Sequence, residues 1–155
     1  MLAASGVLAS GAGAVAAPLG LGSCQTIEGV YRCDGLVETW DGVPLDTTVV
    51  LPSSGATNLP LVAEIHGFGN SKYEYLDPAS TAYTDNAYGW AREGYAVLTY
   101  TARGLWGSCG TPEARLANAL DCLTGYIHLA DSRYEVRDTQ AVSYTHLTLP
   151  TTPYV

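Results

Sequence analysis

Leu61-Val-Ala-Glu-Ile-His-Gly-Phe-Gly-Asn-Ser-Lys72 and Gly94-Tyr-Ala-Val-Leu-Thr-Tyr-Thr-Ala-Arg-Gly-Leu-Trp-Gly-Ser-Cys-Gly110 decide how this chain is read. Each begins with a short apolar run and ends in a glycine-rich turn. Leu61 to Ile65, bounded by Pro60 and Gly67, predicts a buried strand, and Tyr95 to Tyr100 predicts a second. Between them Thr84 to Glu93 predicts a helix. Thr84 would cap it, Asp85 suits its positive end, and Gly94 would end it. Ala87, Trp90 and Ala91 give it apolar contacts at helical spacing. Strand, helix, strand is a βαβ unit, whose right-handed crossover makes the two strands parallel.

Working outward, Tyr31 to Trp40 and Pro44 to Leu51 read as antiparallel strands joined at Asp41-Gly42, a hairpin signal. In the latter, Leu45, Thr47, Val49 and Leu51 alternate with Asp46, Thr48 and Val50, which predicts an outer strand. Pro52 to Pro60 is a Ser, Gly, Asn and Pro loop. A further helix is predicted from near Asp131, with Arg133, Glu135, Arg137 and Asp138 on a solvated face.

A length of 155 residues with 47% hydrophobic content suits one domain. The formal charge of -8 (15 acids, 7 bases) argues against nucleic acid, whose phosphates demand clustered Lys and Arg, and serves solubility. All charged residues fall between Glu28 and Asp138, so both ends need separate explanations. Residues 1–17 resemble a secretory signal ending in Ala14-Val15-Ala16, too short and too rich in Gly and Ala for stable membrane insertion. Leu21-Gly22-Ser23-Cys24 faintly resembles a lipoprotein signal, a lipid-anchored alternative to free secretion. The expected localisation is secreted or extracellular.

The four cysteines allow three connectivities. Local pairing, Cys24 with Cys33 and Cys109 with Cys122, is expected, because each pair brackets a short segment holding Gly or Pro. Such bridges stabilise by ~2–3 kcal/mol each in an oxidising compartment. No C-x-x-C or H-x-x-x-H spacing occurs, so no metal is expected.

Val142-Ser-Tyr-Thr-His-Leu-Thr-Leu-Pro-Thr151 is what the codons GTC TCT TAT ACA CAT CTG ACG CTG CCG ACG encode. Those bases resemble the transposase mosaic end and adapter of a shotgun sequencing library. Residues 142–155 are therefore expected to be artefactual, and His146 is set aside as a catalytic candidate.

The chemistry centres on His66-Gly67-Phe68-Gly69, where glycines let the chain turn sharply and let backbone N–H groups face a cavity. The second run closes on Arg103-Gly104-Leu105-Trp106-Gly107-Ser108-Cys109-Gly110. With Asp41-Gly42-Val43-Pro44-Leu45-Asp46 and His128-Leu-Ala-Asp-Ser-Arg-Tyr-Glu-Val-Arg-Asp138, these motifs resemble the X-prolyl dipeptidyl peptidase and cocaine-esterase-like branch of α/β-hydrolases over roughly residues 24–140.

The resemblance implies a truncated α/β-hydrolase fold, with N-terminal antiparallel strands leading into a parallel sheet whose fifth strand and beyond are missing. It implies a serine that attacks an ester or amide carbonyl, a histidine that takes its proton and a carboxylate that orients the histidine. All three are expected beyond Gln140, since no G-x-S-x-G occurs here; Ser108 and Ser71 stand in other settings. The Phe68 backbone N–H is the implied oxyanion donor, although relatives use a tyrosine hydroxyl from this loop, where this chain has Asn70, Ser71 and then Tyr73. His66 reads as a loop-packing residue beside Gly67 and Gly69, His128 as packing near the final helix, and Ser108 as bonding its own loop's backbone.

The implied partner is a small acyl or peptide substrate, with no cofactor; oligomeric state is not read. Two rivals remain. The 11 tyrosines suit a secreted carbohydrate- or wall-binding module, which predicts an all-β aromatic platform. A non-catalytic scaffold derived from a hydrolase is the other.

Overall fold

The computed structural model describes residues 17–77 and 86–147. Nearly all of the signal-like segment, Thr84 and Asp85 lie outside the described residues. Five strands form one mixed sheet: β1 (Ser23–Ile27), β2 (Val30–Glu38), β3 (Pro44–Leu51), β4 (Leu61–Ile65) and β5 (Ala96–Tyr100), in the order β1-β2-β3-β5-β4. The pairs β1–β2, β2–β3 and β3–β5 are antiparallel, and β4–β5 is parallel. Among the described residues three α-helices accompany them: α1 (Ala87–Arg92), α2 (Pro112–Ala117) and α3 (Glu135–Leu147).

Successive residues of a strand face opposite sides, and the sheet is covered on both. On one side Leu45, Val49, Leu98 and Tyr100 pack with the Cys109 and Cys122 sulfurs and with Val142 of α3. On the other, Val30, Val50 and Val97 pack against Ala87, Tyr88 and Ala91 of α1. Both expected disulfides, Cys24–Cys33 and Cys109–Cys122, are present. The first joins directly opposed residues of β1 and β2.

Several expectations need correction. β3 is not an outer strand: it lies between β2 and β5, and seven of its eight residues are buried. Asp46 and Thr48 made that face look solvated. They instead meet a buried cation: Lys72 Nζ, 1% exposed, lies 2.5 Å from Asp46 Oδ1 and 3.3 Å from Asp34 Oδ1, while Thr48 donates to Asp34. β4, expected to be buried, is an edge strand with Leu61 39% and Ile65 49% exposed.

The first helix begins later than expected, where the Asn86 side chain accepts from the N–H groups of Tyr88 and Gly89. Gly94, at φ +94°, ends it as expected. α3 also begins late, at Glu135, after a turn in which Asp131 O accepts from the N–H groups of Tyr134 and Glu135. Its charged run is not simply solvated, because Asp138 is 2% exposed. The helix continues to Leu147, and Val142 is fully buried.

β1 and α2 were not foreseen. Gln25 and Thr26 give β1 no apolar pattern, whereas α2 had a readable start. Thr111 caps it by accepting from the Ala114 N–H, and Pro112 stands at its first position.

Candidate functional site

β4 and β5 run side by side in the same direction, so the segments following them emerge at one end of the sheet. Ligands of open α/β sheets bind beyond the carboxyl ends of parallel strands. Gly69, at φ +80°, makes the turn after β4, closed by the Asn70 N–H donating to Gly67 O (3.1 Å). Three bonds tie this loop to the one after β5. The Ala102 N–H donates to His66 Nε2 (2.9 Å), Trp106 Nε1 to Gly69 O (3.1 Å), and the Lys72 N–H to Thr101 Oγ1 (3.2 Å).

His66 is thus committed to backbone. Nε2 accepts from Ala102, which leaves Nδ1 as donor to Gly67 O at 2.7 Å. Ser108 is fully buried; it donates to Thr101 O (2.6 Å) and accepts from the Asp46 N–H (2.8 Å), the role read for it from sequence. His128 stacks on Tyr134 with ring centroids 3.6 Å apart. Among the described residues these histidines and Ser108 are therefore engaged elsewhere than with one another. Phe68 is 70% exposed at the mouth of a cleft of about 300 Å³, which His66 also lines. Among the described residues no three His, Cys, Asp or Glu side chains converge as a metal site.

The floor of the cleft holds a group that sequence reasoning missed. Arg103, 2% exposed, bonds both oxygens of Asp138 (2.5 and 2.6 Å) and both of Asp41 (2.9 Å each). Trp40 Nε1 also donates to Asp138, at 3.1 Å. One guanidinium thereby joins the end of β5, the β2–β3 turn and α3. The signal was present in the Asp41-Gly42 turn, the Arg103-Gly104 bend and Asp138, but nothing in their spacing showed that they meet.

Burial pushes Asp138 above the ordinary carboxylate range, and the Arg103 bonds only partly offset it. Burial would lower the Arg103 pKa, but its two carboxylates outweigh that and keep it charged. At Asp34 and Asp41 burial acts upward, yet bonds from Arg32 and Thr48, and from Arg103 and Thr39, hold the carboxyls below the ordinary range.

These directions set an acid limb. A depressed carboxyl stabilises the fold above its unfolded value, about 3.9, and that stability disappears as pH falls through the folded value. Asp138 works the other way, costing stability as pH rises past its unfolded value. Because Asp34, Asp41 and Asp131 are all held down and only Asp138 is pushed up, urea midpoints should fall below about pH 4, and Asp34→Asn should flatten the fall. An unchanged midpoint down to about pH 2 would refute this.

The Cys109–Cys122 bridge closes 13 residues of sequence beside the cleft. Its removal as the double serine variant should cost ~3 kcal/mol in urea unfolding. A cost below about 1 kcal/mol would mean that the loop keeps its shape without the sulfurs.

The profile of the X-Pro dipeptidyl-peptidase (S15 family) matches residues 41–139, which span both loops, Arg103 and Asp138. The chain belongs to this S15 family. No curated protein matches it significantly. Among solved structures, an acetyl xylan esterase from Paenibacillus sp. R4 is 20% identical, with TM-score 0.41, over 54% of this chain and 25% of its own. An α-amino acid ester hydrolase is 22% identical, with TM-score 0.41, over 52% of this chain and 13% of its own. A CocE/NonD family hydrolase from Staphylococcus aureus is 23% identical, with TM-score 0.39, over 52% and 16%. This S15 chain spans a quarter or less of the length of those proteins. Its two disulfides suit an oxidising compartment, and among the described residues no helix is long and apolar enough to cross a membrane.

Proposed function

We propose that this chain is the N-terminal portion, residues 24–140, of a secreted serine hydrolase of α/β-hydrolase fold that cleaves an ester or amide. Residues 1–17 are its signal segment, and residues 142–155 derive from adapter sequence. The observation that carries the reading is the convergence of the His66–Asn70 turn and the Arg103–Gly110 bend beyond two adjacent parallel strands, over one cleft. In that reading the Phe68 N–H faces the developing oxyanion. Gene sequence beyond codon 140 supplies the serine, the histidine and its orienting carboxylate. The parallel β4–β5 pair weighs against an all-β carbohydrate-binding platform.

Resequencing the locus from intact DNA tests this. A G-x-S-x-G is expected within roughly 15–40 codons of codon 141, after a short β-branched run. Expression of that longer chain should give turnover of a p-nitrophenyl acyl ester, and the 155-residue chain none. A longer reading frame with no such elbow, or turnover by the short chain, would overturn the reading.

A further inference from the structure

We propose that the cleft takes an uncharged apolar group about the size of a substituted aromatic ring, and that the disulfide-bridged excursion after β5 makes it selective. The cleft measures about 300 Å³. An apolar cavity of about 150 Å³ already takes benzene, so there is room for a ring with substituents. Ile65 and Phe68 line one side, Leu105, Ile127 and Leu129 belong to the excursion and the segment leaving it, and Val136 comes from α3. Arg103 and Asp138 lie in the floor but bond each other and Asp41. Glu135, at the rim, adds a negative charge that disfavours anions.

The excursion is held rigidly enough to act as a wall. The Cys109–Cys122 bridge spans it, and Arg115 donates to Cys122 O (3.1 Å) and Gly125 O (2.7 Å) while lying over the Tyr126 ring. Its returning segment lies directly on Gly104. A Cβ there would sit 2.6 Å from the Tyr126 carbonyl carbon and against the Ile127 nitrogen. Ile127 is thus placed by backbone packing beside a covalent bridge, and a pre-placed wall lowers the cost of binding. That the apolar group belongs to a hydrolysable substrate rests on the function proposed above; the binding itself does not.

The test is a fluorescence titration of the oxidised 155-residue chain with neutral N-phenyl-1-naphthylamine, its folding checked by near-ultraviolet circular dichroism. Should the chain self-associate, the same titration uses a Leu61→Lys/Ala63→Pro background, neither residue lining the cleft. Saturable one-site binding is expected, displaced by benzyl alcohol, with benzoate weaker by about tenfold or more because its charge would be desolvated. Leu129→Glu should cut affinity by about tenfold or more for the same reason. Gly104→Ala, which displaces Ile127 without touching the sulfurs, should also weaken binding. Leu116→Glu alters an exposed leucine outside the cleft and should leave affinity within about twofold.

Non-saturable binding, equal displacement by benzoate, or loss in Leu116→Glu with retention in Leu129→Glu would overturn the proposal. The titration requires no turnover. If the longer chain proves inactive while the probe binds, only the hydrolase reading falls; if ester turnover appears without probe binding, only this one does.

Discussion

Replacing Arg103 with methionine is expected to lower unfolding free energy by about 3–5 kcal/mol, because it strands carboxylates that the fold has buried around it. Asp138 is 2% exposed and accepts from this guanidinium on both oxygens, at 2.5 and 2.6 Å, with one further bond from Trp40. Asp41 keeps partial contact with water (17% exposed side chain) and would suffer less. A domain whose whole stability is about 5–15 kcal/mol cannot absorb such a loss comfortably. The double variant Arg103→Met/Asp138→Leu should recover a good part of it, since an apolar pair of similar volume carries no unpaired charge. Urea unfolding followed by near-ultraviolet circular dichroism measures both. If the single variant costs less than about 1 kcal/mol, Arg103 is not the tie between α3 and the sheet.

The second large effect concerns β4. The Ala96 N–H donates to Pro60 O, so by alternation the backbone groups of Val62 and Glu64 face β5 and those of Leu61, Ala63 and Ile65 face outward. Tyr75 covers part of that edge by donating to Ile65 O at 3.0 Å. With Leu61 and Ile65 also exposed, the edge offers backbone groups and apolar surface together, the combination that recruits another chain. The 155-residue chain is therefore expected to sediment as oligomers or to precipitate. Ala63→Pro removes an outward N–H without breaking a bond to β5, and Leu61→Lys adds charge. Together they should raise the soluble monomer several-fold. Wild-type chain that sediments as a monomer at high concentration would contradict this account.

The strands were the most legible part of the chain. Hairpin chemistry at Asp41-Gly42 and the apolar runs at 61–65 and 95–100 locate β2 to β5 within a residue or two. Helix starts were less legible. Asn86 caps the first helix because its oxygen reaches two N–H groups, and the sequence alone offered another competent cap two residues earlier. Asp46 shows why burial was harder to read than strand identity. A carboxylate in an alternating strand ordinarily marks water, and only a lysine 26 positions later, folded beneath it, reverses that meaning.

What the sequence determined by itself was local: turn chemistry, strand content, cysteine pairing within short loops, and the family motifs at 41–46, 66–72 and 103–110. Each depends on neighbours a few residues apart, whose conformational preferences can be read directly. Only the tertiary structure decided that β3 is interior, that β4 is an edge, and that Arg103 bridges Asp41 and Asp138 beneath an apolar cleft. Those facts depend on which side chains meet across 35 to 62 residues of chain. No local propensity encodes such meetings; burial and charge pairing select them when the sheet closes.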